Sequence, residues 1–195
     1  MRLEALALAI SLLFVGCSAP RQSFATAPGA PPTCPPPDHH YNRDSLFGKW
    51  ADEDHDCQNT RAELLIARSA KPTAFTSSSG CYVDSGEWHD PYTDSTFYAA
   101  SDLQIDHVVP LHLAWLSGAW AWSQEQRRAF ANDTANLLAV YGRVNASKGD
   151  RTPEEWLPPS PTFQDGYRER FASILRKYSL TASSCGILGR SKQAP

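Results

Sequence analysis

Apolar and polar positions alternate over short distances along this chain, which predicts short elements rather than long ones. A short helix is predicted over residues 41–50, closing near Gly48. Thr60 with Glu63 three positions later is a capping-box pattern, and Leu64, Leu65 and Ile66 then place a helix over 60–69, ended by Lys71-Pro72. Residues 80–88 read as a strand with Cys81 and Val83 on one face, 90–94 as a turn, and 95–98 as a second strand. Residues 103–109 alternate as a strand closed by Pro110. An apolar, aromatic stretch over 112–122 leads to Ser123, which with Gln126 forms a second capping-box pattern at the head of a polar helix to about Ala131. Residues 137–141 read as a buried strand, and 145–156 as a short helix or two turns around Pro153. Phe171, Ile174, Leu175 and Tyr178, at helical spacing, mark a last amphipathic helix over 168–178. The mixture predicts an α+β fold.

The chain ends read differently. Residues 1–17 carry one basic residue, Arg2, then an apolar run over 6–15 that is too short to span a bilayer and reads as the core of a signal peptide. Its end, Phe14-Val15-Gly16-Cys17, resembles a bacterial lipobox, which implies a lipidated Cys17 and a membrane-anchored, exported protein; ordinary secretion is the other reading. Residues 18–37, rich in Pro, Ala, Ser and Thr, cannot bury enough apolar surface to fold and read as a stiff tether. One folded domain is expected over 38–188, with a short tail over 189–195.

With Cys17 set aside, Cys34, Cys57, Cys81 and Cys185 remain, an even number in an exported chain, and their spacing lacks a CxxC zinc pair. Of the three pairings, Cys57–Cys81 with Cys34–Cys185 is favoured. A net charge of −3 argues against a stable nucleic-acid-binding module, although a degradative enzyme can work with a local basic patch.

Candidate chemistry is concentrated in LQIDHVVPL, where Asp106 and His107 end a predicted strand, and in Asn136 and Asn145, which follow nine residues apart. One carboxylate, one imidazole and two carboxamides are the groups a one-metal phosphodiesterase needs: oxygen ligands for a hard cation and a base that can take a proton from water.

DHVVPL, NLLAV and NASKGD in this order, followed by PEEWLPP and preceded by CQNTRAELL and CYVDSGEWHDPYTD, resemble the HNH endonucleases, in the branch related to the C-terminal domain of GmrSD restriction enzymes. The resemblance covers residues 41–178. It implies a ββα-metal core with flanking helices and a small antiparallel sheet. It implies that Asp106 and Asn145 are metal ligands, His107 the general base and Asn136 the brace that orients His107. Oxygen ligands favour Mg²⁺, with Mn²⁺ as an alternative, over Zn²⁺. The implied partner is nucleic acid, DNA ahead of RNA, with no protein partner indicated and the membrane reached only through the lipid anchor. Lys148 and Arg143 flank the metal loop and are candidate phosphate contacts, with Arg61 a weaker one.

Beside this stand a binding or structural lipoprotein on the same scaffold, and a metal-dependent phosphodiesterase of small substrates. His112, His89, His55, His39 and His40 lack a partner pattern and read as surface or loop residues, and Trp115, Trp120 and Trp122 as core.

Overall fold

A computed structural model describes residues 41–181. The expected signal segment, the tether, Cys17 and the Cys34–Cys185 bridge lie outside the described residues. Among the described residues the fold is α+β. Helices α1 (Arg43–Phe47) and α2 (Thr60–Arg68) precede a three-stranded antiparallel sheet of β1 (Ala74–Phe75), β2 (Val83–Asp90) and β3 (Ser95–Ala99). Strands β4 (Leu103–His107) and β5 (Leu137–Tyr141) form a second, two-stranded antiparallel sheet, with Leu103 opposite Tyr141 and His107 opposite Leu137. The connection between them holds α3 (Leu111–Leu116) and α4 (Gln124–Asn132); α5 (Gly142–Lys148) follows β5 without a loop, and α6 (Gln164–Lys177) comes last.

Local chemistry sets most boundaries. Gly48, at φ 75°, stops α1 after Phe47, short of residue 50. Helix α2 is capped by Asn59 rather than by Thr60: the Asn59 Oδ1 accepts from the Ala62 N–H, while the Thr60 hydroxyl donates to the Ala51 carbonyl and to Asn132. Ser123 and Gln126 form both arms of the capping box on α4. Strand β4 ends at His107, two residues before the expected 109, because the Val108 and Val109 N–H groups donate to Asn136 instead of to a strand. Helix α5 lies earlier than the 145–156 expected: Gly149, at φ 58°, ends it, so Pro153 falls in the turns beyond. Helix α6 starts at Gln164, four residues before 168, after a turn of 3₁₀ helix over Pro161–Phe163.

Two apolar clusters support this arrangement. One packs Leu64 and Leu65 of α2 against Trp88, Leu103, Ile105, Leu137 and Ala139, so it joins both sheets; the Trp88 indole N–H also donates to the Leu65 carbonyl at 2.7 Å. Gly86 permits this: a Cβ there would lie 2.7 Å from the Trp88 ring. The larger cluster gathers Phe47, Tyr92, Trp115, Phe130, Tyr167, Phe171 and Ile174, under α3, α4 and α6. Trp115 is buried, and Trp120 and Trp122 are packed against that cluster.

Cys57 and Cys81 are joined, with Cα atoms 5.1 Å apart, tying the loop before α2 to the residues before β2. The double change Cys57→Ser/Cys81→Ser should lower unfolding stability by about 2–4 kcal/mol through the freed 24-residue loop, measured by denaturant titration; an unchanged midpoint would contradict a structural bridge.

Candidate active site

Strand β4 pairs only with β5 among the described residues. Its residues Gln104, Ile105, Asp106 and His107 line a cleft of about 450 Å³, together with Asn145 of α5, His112 of α3, and Asp150 just beyond α5.

The Gln104/Asp106 face is the one α5 covers. Asp106 is 4 % exposed and bonded at both oxygens: Lys148 Nζ donates to its Oδ1 at 2.8 Å and the Tyr92 hydroxyl to its Oδ2 at 2.5 Å. Lys148 also donates to the His107 carbonyl at 2.8 Å. Tyr92 reaches inward because Asp90 closes the turn after β2, accepting from the Tyr92 N–H and the Thr93 hydroxyl. Burial, then the Asp106 charge, pushes the Tyr92 phenol well above its usual value, so it remains a donor.

His107 faces the other way. Its ring is stacked on Trp50, centroids 5.3 Å apart and 6° from parallel, and Nε2 lies 2.8 Å from the Ala131 carbonyl. A carbonyl only accepts, so Nε2 carries the hydrogen and the neutral ring keeps its lone pair on Nδ1. Nδ1 has no hydrogen-bond partner among the described residues. Burial pushes this imidazole down to about 4; the Ala131 bond and Asp106 oppose that, while the charges of Arg43 and Lys148 add to it.

Asn136 is completely buried and clamps the segment after His107: its Oδ1 accepts from the Val109 N–H, its Nδ2 donates to the Val109 carbonyl, and its own carbonyl accepts from the Val108 N–H. Asn145 donates through Nδ2 to Gln104 Oε1 at 2.9 Å, and its Oδ1 has no protein partner among the described residues. A hard cation fits this donor set. The Asn145 Oδ1 is a neutral oxygen, and each Asp106 oxygen accepts one hydrogen bond and retains a second lone pair.

The structure therefore brings Asp106, His107 and Asn145 to one cleft, with Asn136 behind them. It does not bring the expected phosphate contacts there. Lys148 is completely buried against Asp106, so its ammonium cannot reach a substrate phosphate, a correction that follows from α5 packing on β4. Arg143 is exposed on α5 but does not line the cleft. Arg61 does line it, yet its Nη2 donates to the Ala100 and Leu103 carbonyls and fixes the start of β4.

Other residues at the site carried no motif in the sequence. Arg43 lines the cleft with its guanidinium 5.8 Å from the Trp50 ring. His112 is not a plain surface residue: its Nδ1 meets Asp150 Oδ2 at 2.8 Å inside the cleft. Nothing in the spacing announces that Trp50 would cover His107 or that Tyr92 would hold Asp106.

Lys148→Met leaves Asp106 buried without its counter-charge and should cost about 3–5 kcal/mol of unfolding stability, with Lys148→Met/Asp106→Leu recovering much of it; equal stability of the single variant and the parent would contradict the pair. His107 contributes a second, pH-dependent effect. Its folded value near 4 lies below the unfolded 6.5, so the unfolded chain binds this proton first as pH falls. Stability from this group is complete above 6.5 and falls by about 3 kcal/mol towards pH 4. His107→Phe should flatten that slope in denaturant titrations at pH 7 and 4.5; an unaltered slope would contradict the buried neutral ring.

Among known sequences, the model of the family described as GmrSD restriction endonucleases, C-terminal domain, matches residues 59–184. A protein of Arthroderma benhamiae described as an uncharacterized secreted protein is 41% identical over 150 residues, covering 76% of this chain and 71% of that protein. No solved structure matches significantly. The family match spans β4, β5 and α5, the elements that border the cleft, and the chain belongs to the family of the GmrSD restriction endonuclease C-terminal domain.

Proposed function

We propose that the protein is a metal-dependent HNH endonuclease whose β4–β5–α5 unit is a ββα-metal core. The observation that carries this reading is the meeting of Asp106, Asn145 and the unpaired Nδ1 of His107 in one cleft, in a member of a restriction-endonuclease domain family.

In this reading Asp106 and Asn145 hold one divalent cation, Mg²⁺ in preference to Mn²⁺, and the ion when bound supplies Lewis-acid stabilisation of charge on the phosphate oxygens. His107 takes a proton from water at Nδ1. Its Nε2 bond to Ala131 and the Trp50 stack hold the ring in place, and desolvation keeps it neutral over the whole working range of pH. Asn136 fixes the backbone that follows His107, and so acts by positioning. Lys148 and Tyr92 hold the Asp106 carboxylate from two sides. Arg43, exposed beside Trp50, supplies a cation for a neighbouring phosphate, with Arg143 acting on substrate beyond the cleft.

The substrate in this reading is nucleic acid, DNA ahead of RNA. Export is supported by the apolar run over 6–15 and by the Arthroderma benhamiae relative, described as secreted; a lipid on Cys17 is the proposed anchor. Among the described residues no helix is long and apolar enough to cross a membrane.

His107→Ala should reduce plasmid nicking at saturating Mg²⁺ by roughly 10²–10⁴-fold while the thermal unfolding transition remains cooperative. Retained nicking would remove His107 as the base. No nicking by the folded wild-type protein on DNA or RNA, with any of Mg²⁺, Mn²⁺, Ca²⁺ or Zn²⁺, would remove the nuclease.

A further inference from the structure

A second histidine borders the same cleft and has a carboxylate behind it. His112 sits in the first turn of α3, just after Pro110; Asp150 follows Gly149, which ends α5. The dyad thus bridges the helix that follows His107 and the helix that carries Asn145. His112 Nδ1 is 2.8 Å from Asp150 Oδ2, and the ring rests on Tyr41 with centroids 4.6 Å apart. The two side chains are 20% and 37% exposed, so the pair is partly shielded but open to the cleft that both line. With Nδ1 held by the carboxylate, Nε2 is left without a protein partner among the described residues.

The two cleft histidines are held in opposite ways. His107 is bonded through Nε2 to a carbonyl, which leaves a lone pair on Nδ1. His112 is bonded through Nδ1 to a carboxylate, which can support a ring carrying hydrogen on both nitrogens. One ring presents a lone pair and the other, with a carboxylate behind its Nδ1, has an Nε2 that can present a hydrogen, the two groups that diester hydrolysis uses at its two ends.

We propose that His112 is the general acid of the reaction, oriented by Asp150 as a positioning residue. This rests on the nuclease reading and deepens it. Water attacks phosphorus and His107 takes its proton. The bond from phosphorus to the bridging oxygen breaks, the electron pair stays on that oxygen, and His112 Nε2 protonates it as it leaves. His107 then loses its proton to solvent and His112 regains one from solvent, so the net change is one water consumed and one diester cleaved.

The test compares an oligodeoxynucleotide with its analogue in which sulfur replaces the leaving oxygen at one linkage, since a thiolate departs without protonation. His112→Gln should cleave the oxygen substrate about a hundredfold or more slowly than wild type, yet the sulfur substrate within about threefold of it. Asp150→Asn should show the same selectivity to a smaller degree. A merely structural defect slows both substrates alike, as does loss of the base in His107→Ala. Equal losses on the two substrates, or no loss on the oxygen substrate, would overturn the acid assignment and leave the nuclease standing. A wild-type protein that cleaves neither substrate would instead overturn the nuclease reading itself.

Discussion

Asp106 and Lys148 form a buried ion pair between β4 and the end of α5, and most of the site's geometry follows from it. Two charges taken out of water repay the cost only when their remaining hydrogen-bonding capacity is used. Here it is: Tyr92 takes the second Asp106 oxygen, and Lys148 also donates to the His107 carbonyl. The ammonium thereby grips both a strand side chain and the strand backbone, and α5 is held across β4. That placement puts Asn145, one turn before Lys148, beside Gln104 and at the cleft. A lysine that looks from the sequence like a phosphate contact is in this fold the internal cation that fixes where the carboxylate points.

The opposite face of β4 imposes a different constraint. His107 is enclosed by Trp50 and the end of α4, and among the described residues no carboxylate touches its ring, so desolvation decides its charge. Asp106, the nearest acid in sequence, lies on the other face with Lys148 against it. The strand's two-residue alternation separates the carboxylate from the imidazole and lets each sit in its own environment, while both border one cleft.

The sequence made the strands and the short list of chemical residues legible because both depend on local pattern. The strand at 137–141 appears with the bounds its apolar run implied, and Asp106, His107 and Asn145 meet as their order suggested. What was not legible depends on long-range packing. Asn145 reads from the sequence as the start of a short helix or two turns and lies inside α5, because that helix begins at Gly142, directly after β5, and is stopped by Gly149. Lys148 changed role because its burial against Asp106 depends on how α5 docks. His112 looked unpartnered because Asp150 is 38 residues away in sequence and reaches it only after β5 and α5 are formed. Asn59 and Thr60 are both good cap residues, and only the bonds of Thr60 to Ala51 and Asn132 decide between them.

In the proposed reaction Asp106 and Asn145 hold the cation on which cleavage depends. The measurement that bears on this first is the initial rate of plasmid nicking against Mg²⁺ concentration for the wild type and for Asn145→Ala, each also assayed with EDTA. Coordination by these two residues predicts no nicking in EDTA, a saturating rise for the wild type, and a half-saturating Mg²⁺ concentration raised by roughly 10–100-fold in the variant. Nicking that persists in EDTA, or superimposable titrations for the two proteins, would contradict it.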